Sequence, residues 1–179
     1  MINQIFFDLD ECLISGRLHV GNEFNLQYDF AFRLDDEMYG NQIYQVKINP
    51  CAWNIINHAR DLVGRDNVLI LTASTQEYAE AINGAAPFGF PKDQIIAREK
   101  LDKAVWNMRF CPEYVNPFKN KNNVLIDNLR PRENEDKMIF LGIGVDNYHQ
   151  VCDFYGVASE RFEEGVIEFL DRKYGETNK

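Results

Sequence analysis

The stretch that most constrains this fold is the first fifteen residues, Met1 to Ser15, which read MINQIFFDLDECLIS. The run Ile5-Phe6-Phe7 is unbroken and apolar, and it ends in Asp8 and Asp10 with Leu9 between them. A short apolar run bounded by polar residues suits a strand buried on both faces, as in a parallel sheet. Acids at the C-terminal end of such a strand sit where open α/β sheets place their ligands. Leaving two charges there is costly unless a cation or a hydrogen-bond network compensates them. An Asp-x-Asp at a strand end can hold a hard ion such as Mg²⁺ with oxygen ligands, and a chain leaving the sheet can also aim a backbone carbonyl inward. The plainer alternative is a strand end followed by a turn or an acidic N-cap at Asp10.

The rest of the chain is ordinary enough to leave that stretch in command. Its 179 residues fit one domain with a small insertion, and 45% hydrophobic with 26% charged residues is the balance of a soluble globular protein. No apolar run reaches the roughly 18 residues that span a membrane, and no signal peptide is visible. A net charge of −9 argues against broad, non-specific nucleic-acid binding, which needs a basic face, but leaves a nucleotide open as a small substrate. Cys12, Cys51, Cys111 and Cys152 are far apart and form no C-x-x-C pair, so reduced thiols in a cytoplasmic setting are expected and a zinc site is not.

Two further apolar runs repeat the pattern of the first. Asn67 to Leu71 ends in Thr72-Ala73-Ser74-Thr75, ahead of a predicted helix from Gln76 to Ile82. Hydroxyls beside the backbone N–H groups of a helix N-terminus suit a phosphate, and an N-cap by Ser74 or Thr75 is compatible with the same loop. Asn123 to Ile126 ends in Asp127-Asn128. Between the first run and the first helix lies an insertion of about 16–49. Its alternation at Phe30, Phe32 and Leu34, then Ile43, Tyr44, Val46 and Ile48, predicts a β-hairpin turning near Gly40-Asn41, after an earlier turn at Gly21-Asn22. It serves as a flap over the site or as an edge of structure.

Asn49-Pro50 opens a helix with Pro50 at the first helical position, Trp53, Ile55, Ile56, Ala59 and Leu62-Val63 as its apolar stripe, and Gly64 as its stop. His58 reads as a packing or surface residue. Gln94 to Ala97 is a short strand, residues 104 to 122 read as irregular connection with room for one short helix, Ile139 to Val145 is predicted as one more strand, and Val166 to Tyr174 as a terminal helix. Strand–helix alternation of this kind predicts α/β architecture: a Rossmann-like parallel sheet flanked by helices, with the β-hairpin insertion after the first strand. If Asp8/Asp10, Thr72 and Asp127 lie at adjacent strand ends, they form one site suited to phosphoryl transfer, where positioning and charge neutralisation dominate. A carboxylate there can also act as nucleophile.

These residues carry a family resemblance. Phe6-Phe7-Asp8-Leu9-Asp10-Glu11-Cys12-Leu13 resembles the first motif of the haloacid dehalogenase-like hydrolase superfamily, D-x-D-x-[TV]-[LV], with Cys12 in place of Thr or Val. Val68 to Thr72 resembles the second motif and Val124 to Asn128 the fourth, where Asn128 stands in place of a second acid. That change leaves one carboxylate fewer for an ion, although an amide oxygen can still coordinate or hold a ligand water. The resemblance implies a Mg²⁺-dependent phosphatase: Asp8 as nucleophile, Asp10 as general acid and base, and Asp8, Asp127 and the backbone carbonyl of Asp10 around Mg²⁺. It implies that Thr72, with Ala73 and Ser74, binds the phosphoryl oxygens. It also implies a lysine, for which Lys100 is the choice, with Lys103, Lys119 and Lys121 as competitors. The hairpin and the run Leu71 to Ala79 are similar to the small-capped branch that includes the carboxy-terminal-domain phosphatases, which act on phosphoproteins through an open site. Leu125 to Pro131 equally resembles small nucleotidases of the superfamily. A phosphorylated small molecule, nucleotide or phosphoprotein is therefore the expected partner. A 5'-nucleotidase and a catalytically silent binding module, which Asn128 keeps open, are the alternatives. A phospho-accepting receiver domain fits less well, because receivers take their acceptor Asp from a strand well inside the chain.

Overall fold

β1 (Ile5–Phe7) is the middle strand of a five-stranded parallel sheet. Its neighbours are β5 (Val68–Leu71) on one side and β7 (Val124–Asp127) on the other, in register Ile5↔Val68 and Ile5↔Val124. β6 (Ile95–Ile96) and β8 (Tyr148–Gln150) close the two edges. The computed structural model describes residues 2–18, 28–36, 40–152 and 159–177. The chain leaves β1 toward β5 and β6, then returns to the other side for β7 and β8, so the order reverses beside β1. Such a reversal opens a crevice at the carboxyl ends of the strands.

The apolar runs are continuous because both faces of the sheet are covered. Successive side chains of a strand point to opposite faces. Ile5, Phe7, Val68, Ile70 and Ile126 join one core with α1 (Ala52–Val63), α2 (Gln76–Ala85) and α5 (Ser159–Thr177). Phe6, Leu69, Leu71 and Leu125 join the other with α3 (Arg98–Phe110) and α4 (Glu135–Leu141). The insertion is a second sheet, antiparallel, in the order β2 (Ile14–Leu18), β4 (Gly40–Ile48), β3 (Phe30–Asp36). Among the described residues no helix is long and apolar enough to cross a membrane. All four cysteines are free.

Several local expectations need correction. Gly40 does not turn the hairpin: it opens β4 and pairs with Asp36, so the connection falls on 37–39, which like Gly21-Asn22 lies outside the described residues. Pro50 precedes the N-cap of α1, Cys51, and Trp53 is 46% exposed because the buried stripe runs through Ala52, Ile55, Ile56 and Ala59. His58 meets Asp171 at 2.8 Å, a surface contact, as expected. Of residues 104 to 122, those up to Phe110 finish α3 and the rest are irregular, as expected. Ile139 to Val145 is not a strand. Ile139, Phe140 and Leu141 finish α4, which has Glu135 and Asp136 in its first turn and ends at Gly142 in the left-handed conformation, φ 68°. Acids at the start and a left-handed glycine at the end are ordinary helix boundaries, and the three apolar residues are its last turn.

Phe6 is fully buried in the second core. Phe6→Ala is expected to lower unfolding free energy by about 3–5 kcal/mol in urea titrations. Val115→Ser, at a side chain 82% exposed, is expected to change it by less than about 0.5 kcal/mol.

Candidate active site

Asp8 follows the last residue of β1, and its backbone N–H continues the ladder to Ile126 O at 2.9 Å. Asp127 is the last residue of β7. The two acids therefore stand side by side on adjacent parallel strands, at the crevice. Both are buried, Asp127 completely. Lys137, from the first turns of α4, donates to Asp8 Oδ1 at 2.8 Å and to Asp127 Oδ2 at 2.6 Å. The other oxygen of Asp127, Oδ1, accepts from the backbone N–H of Leu129 at 2.9 Å, which fixes the carboxylate. Oδ2 of Asp8 takes no part in the lysine contact.

Burial, followed by the charges of Asp127 and Asp10, raises the Asp8 pKa above the usual carboxylate range, while Lys137 pulls it back. Burial also works against the charge on Lys137, but Asp8 and Asp127 outweigh it and hold its pKa above that of an ordinary lysine. With both carboxylates ionised, the three groups together would carry one negative charge.

Thr72 extends β5 by one residue, its N–H donating to Ile96 O at 2.9 Å, and it is almost fully buried. Its Oγ1 accepts from Ser74 N at 3.1 Å, a bond that leaves the hydroxyl hydrogen for another acceptor. Thr75 caps α2. The start of α3 clamps this loop: Arg98 Nε donates to Ala73 O at 2.6 Å, Arg98 N to Ser74 O at 2.9 Å, and Gln76 N to Glu99 Oε2 at 3.0 Å. Ser74 Oγ in turn donates to Asp10 Oδ2 at 2.7 Å. Asp10 Oδ1 accepts from Tyr78 Oη, on α2, at 2.8 Å. The chain leaves the sheet through a tight turn in which Leu13 N and Ile14 N both bond Leu9 O, and Glu11 takes a left-handed φ of 59°. For a non-glycine residue this costs roughly 1–2 kcal/mol, so the turn is held by its surroundings.

The structure thus brings Asp8, Asp127 and, through the Ser74 hydroxyl, Asp10 and the Thr72 loop to one end of the sheet. It does not bring Lys100 there. Lys100 lies in the first turn of α3 with its ammonium 4.7 Å from the Phe118 ring centroid. Lys103 and Lys121 are exposed, and the Lys119 side chain lies against Gly142. The lysine that reaches the acids is Lys137. A signal for it existed: Lys137, Phe140 and Leu141 are spaced i, i+3, i+4 and share the buried face of α4. Assigning Ile139 to Val145 to a strand hid that face.

For a metal, the side chains offer two carboxylates, Asp8 and Asp127. Among the described residues no group of three or more His, Cys, Asp or Glu side chains is arranged to hold an ion. Asp10 spends its carboxylate on Ser74 and Tyr78, so only its backbone carbonyl is a candidate third oxygen. Such a set is all hard oxygen. Carboxylate and carbonyl oxygens of this kind fit a hard divalent cation such as Mg²⁺.

Removing the ammonium leaves two buried carboxylates facing each other. Lys137→Met is expected to cost about 3–5 kcal/mol of stability in urea titrations, and adding Asp127→Asn to recover part of that loss.

No family model matches the chain, and no curated protein matches it. Solved structures do. One is Fcp1, described as an essential RNA polymerase II CTD phosphatase, with TM-score 0.58 and 17% identity over 98% of this chain and 52% of that one. Another is a variant of the fission yeast RNA polymerase II CTD phosphatase Fcp1 bound to beryllium fluoride, with TM-score 0.51 and 19% identity over 97% of this chain and 52% of that one. The chain spans about half the length of each. At this identity the likeness is one of fold: the chain has the α/β fold of the Fcp1 structures.

Proposed function

We propose that the chain is a Mg²⁺-dependent phosphatase that hydrolyses a phosphomonoester through a phosphorylated Asp8. The observation that carries this reading is the buried Asp8–Lys137–Asp127 contact at the crevice of the sheet. A nucleophilic carboxylate must stay ionised, yet burial favours its protonated form. Lys137 opposes that tendency at Asp8. Asp8, Asp127 and the Asp10 carbonyl are the residues that would hold Mg²⁺. When bound, the ion supplies positive charge that neutralises the phosphoryl oxygens.

The protein's own groups account for the bond changes. A carboxylate oxygen of Asp8 attacks phosphorus and the O–P bond forms. The bond from phosphorus to the leaving oxygen breaks, its electron pair stays on that oxygen, and Asp10 delivers a proton to it. Water then attacks phosphorus, Asp10 takes the water's proton, and the bond to Asp8 breaks, which restores the carboxylate. The Thr72 hydroxyl, with the Ala73 and Ser74 segment, binds the phosphoryl oxygens, and Lys137 balances their charge. The Fcp1 likeness favours a phosphoprotein substrate of the small-capped branch over a nucleotide. Retention of Asp8, Asp10, Thr72 and Asp127, together with Lys137, argues against a silent binding module.

Hydrolysis of an aryl phosphate is expected with Mg²⁺, to vanish with EDTA and to return when Mg²⁺ is restored. Asp8→Asn is expected to lower kcat by more than about 10³-fold while the melting temperature stays near that of the wild type. Wild-type turnover in that variant would remove Asp8 as nucleophile. In a panel of phosphopeptides and nucleoside monophosphates, higher kcat/KM on the peptides is expected; the reverse order would favour the nucleotidase.

A further inference from the structure

Asp10 is held from two directions. Ser74 reaches one oxygen from the loop after β5, and Tyr78 reaches the other from α2. Tyr78 is only 8% exposed. Its ring is packed by the antiparallel sheet: the Tyr44 ring meets it edge-on at 5.2 Å between centroids, and Phe32 lies at 5.7 Å. Those two rings stack on each other at 5.5 Å across the β3–β4 pair. The phenol therefore has little freedom beyond the bond to Asp10. Burial first, then the Asp10 charge, keeps the proton on the phenol, so it is a donor.

Gly16 shows how closely this contact is built. It sits in β2, where a Cβ would stand 1.9 Å from Tyr78 Oη, 3.2 Å from Tyr78 Cζ and 3.5 Å from Asp10 Oδ1. No side chain fits beneath the hydroxyl, and that close approach is a reason for glycine at this position. The strand that follows the Asp10 turn is thus shaped to let the tyrosine in.

We infer that Tyr78 is a positioning residue for Asp10, and that the antiparallel sheet serves the reaction by holding Tyr78 while Gly16 leaves room for its hydroxyl. The inference rests on the phosphatase reading above. A general acid must meet the leaving oxygen within hydrogen-bond reach, and a loosely held carboxyl loses that alignment. Tethering both oxygens fixes the plane of the Asp10 carboxyl; when Asp10 carries the proton it delivers, that proton sits on Oδ2, the Ser74 hydroxyl turns away, and Tyr78 still donates to Oδ1. In the first step the bond from phosphorus to the leaving oxygen breaks as the Asp8–phosphorus bond forms, and the Asp10 proton passes to the leaving oxygen. An alkoxide leaves poorly without that proton, whereas a nitrophenolate leaves without help.

The test compares kcat/KM on an alkyl phosphate and on nitrophenyl phosphate, since this constant reports the steps through release of the leaving group. Tyr78→Phe is expected to lose about 10–100-fold on the alkyl ester and less than about threefold on the nitrophenyl ester, with an unchanged melting temperature. Gly16→Ala is expected to give the same split by displacing the hydroxyl. In the Tyr78→Phe background it is expected to add little, because the group it displaces is gone. Equal losses on both esters would mark a structural role and overturn the inference, as would no loss on either. Should Gly16→Ala fail to fold, Tyr78→Phe alone decides. A wild type that hydrolyses neither ester removes the phosphatase reading and this inference with it. An active wild type without the split removes only the inference.

Discussion

One ammonium between two carboxylates is the interaction on which the site depends. Asp8 and Asp127 end adjacent strands of one ladder, so the backbone leaves them no room to move apart. Without Lys137 they would be like charges out of water, a cost that burial multiplies. With it, both acids have a cationic partner and an ordered geometry. The same lysine that makes burial of Asp127 tolerable also works against the rise that burial causes in the Asp8 pKa.

The fold delivers this contact by covering the sheet on both sides. Ile5 and Phe7 look into one core and Phe6 into the other, so β1 cannot slip by one residue without exchanging the two sets. Register at β1 then sets the height of Asp8, and the pairing Phe7↔Ile126 sets the height of Asp127 beside it. The second sheet acts on Asp10 from outside that frame. It grows directly from the turn that carries Asp10, and its aromatic rings return to the acid through Tyr78.

Much of this was legible in the chain. The runs at Ile5, Val68 and Val124 are short, apolar and closed by polar residues, a pattern that a doubly covered parallel strand requires, and all three are strands. Alternation at Phe30, Phe32 and Leu34 marked β3 equally well. The lysine was not found, for a physical reason. The run Ile139-Phe140-Leu141 is too short for its period to separate helix from strand, and Lys137 then falls outside the element. Lys100 follows the short strand Ile95-Ile96, which made it the natural choice, but its ammonium rests on Phe118. Tyr78 was hidden because its partner, Asp10, is 68 residues away and nothing local in α2 marks a polar destination. A surface position such as Trp53 was misassigned because composition cannot tell which side of a helix meets the sheet.

The span of the lysine contact has a consequence for synthesis. Lys137 and Asp8 are 129 residues apart, so the central strand is made well before the helix that carries the lysine. At roughly 5–20 residues per second, β1 waits about 6–26 s before the cation that neutralises its terminal acid has been translated. Until then the nascent chain holds a strand whose place lies between two partners, one of them still unmade, and whose charged end resists being enclosed. Docking of α4 is thereby tied to closing the crevice, so the helix that follows α3 onto that side of the sheet also brings the lysine to the acids.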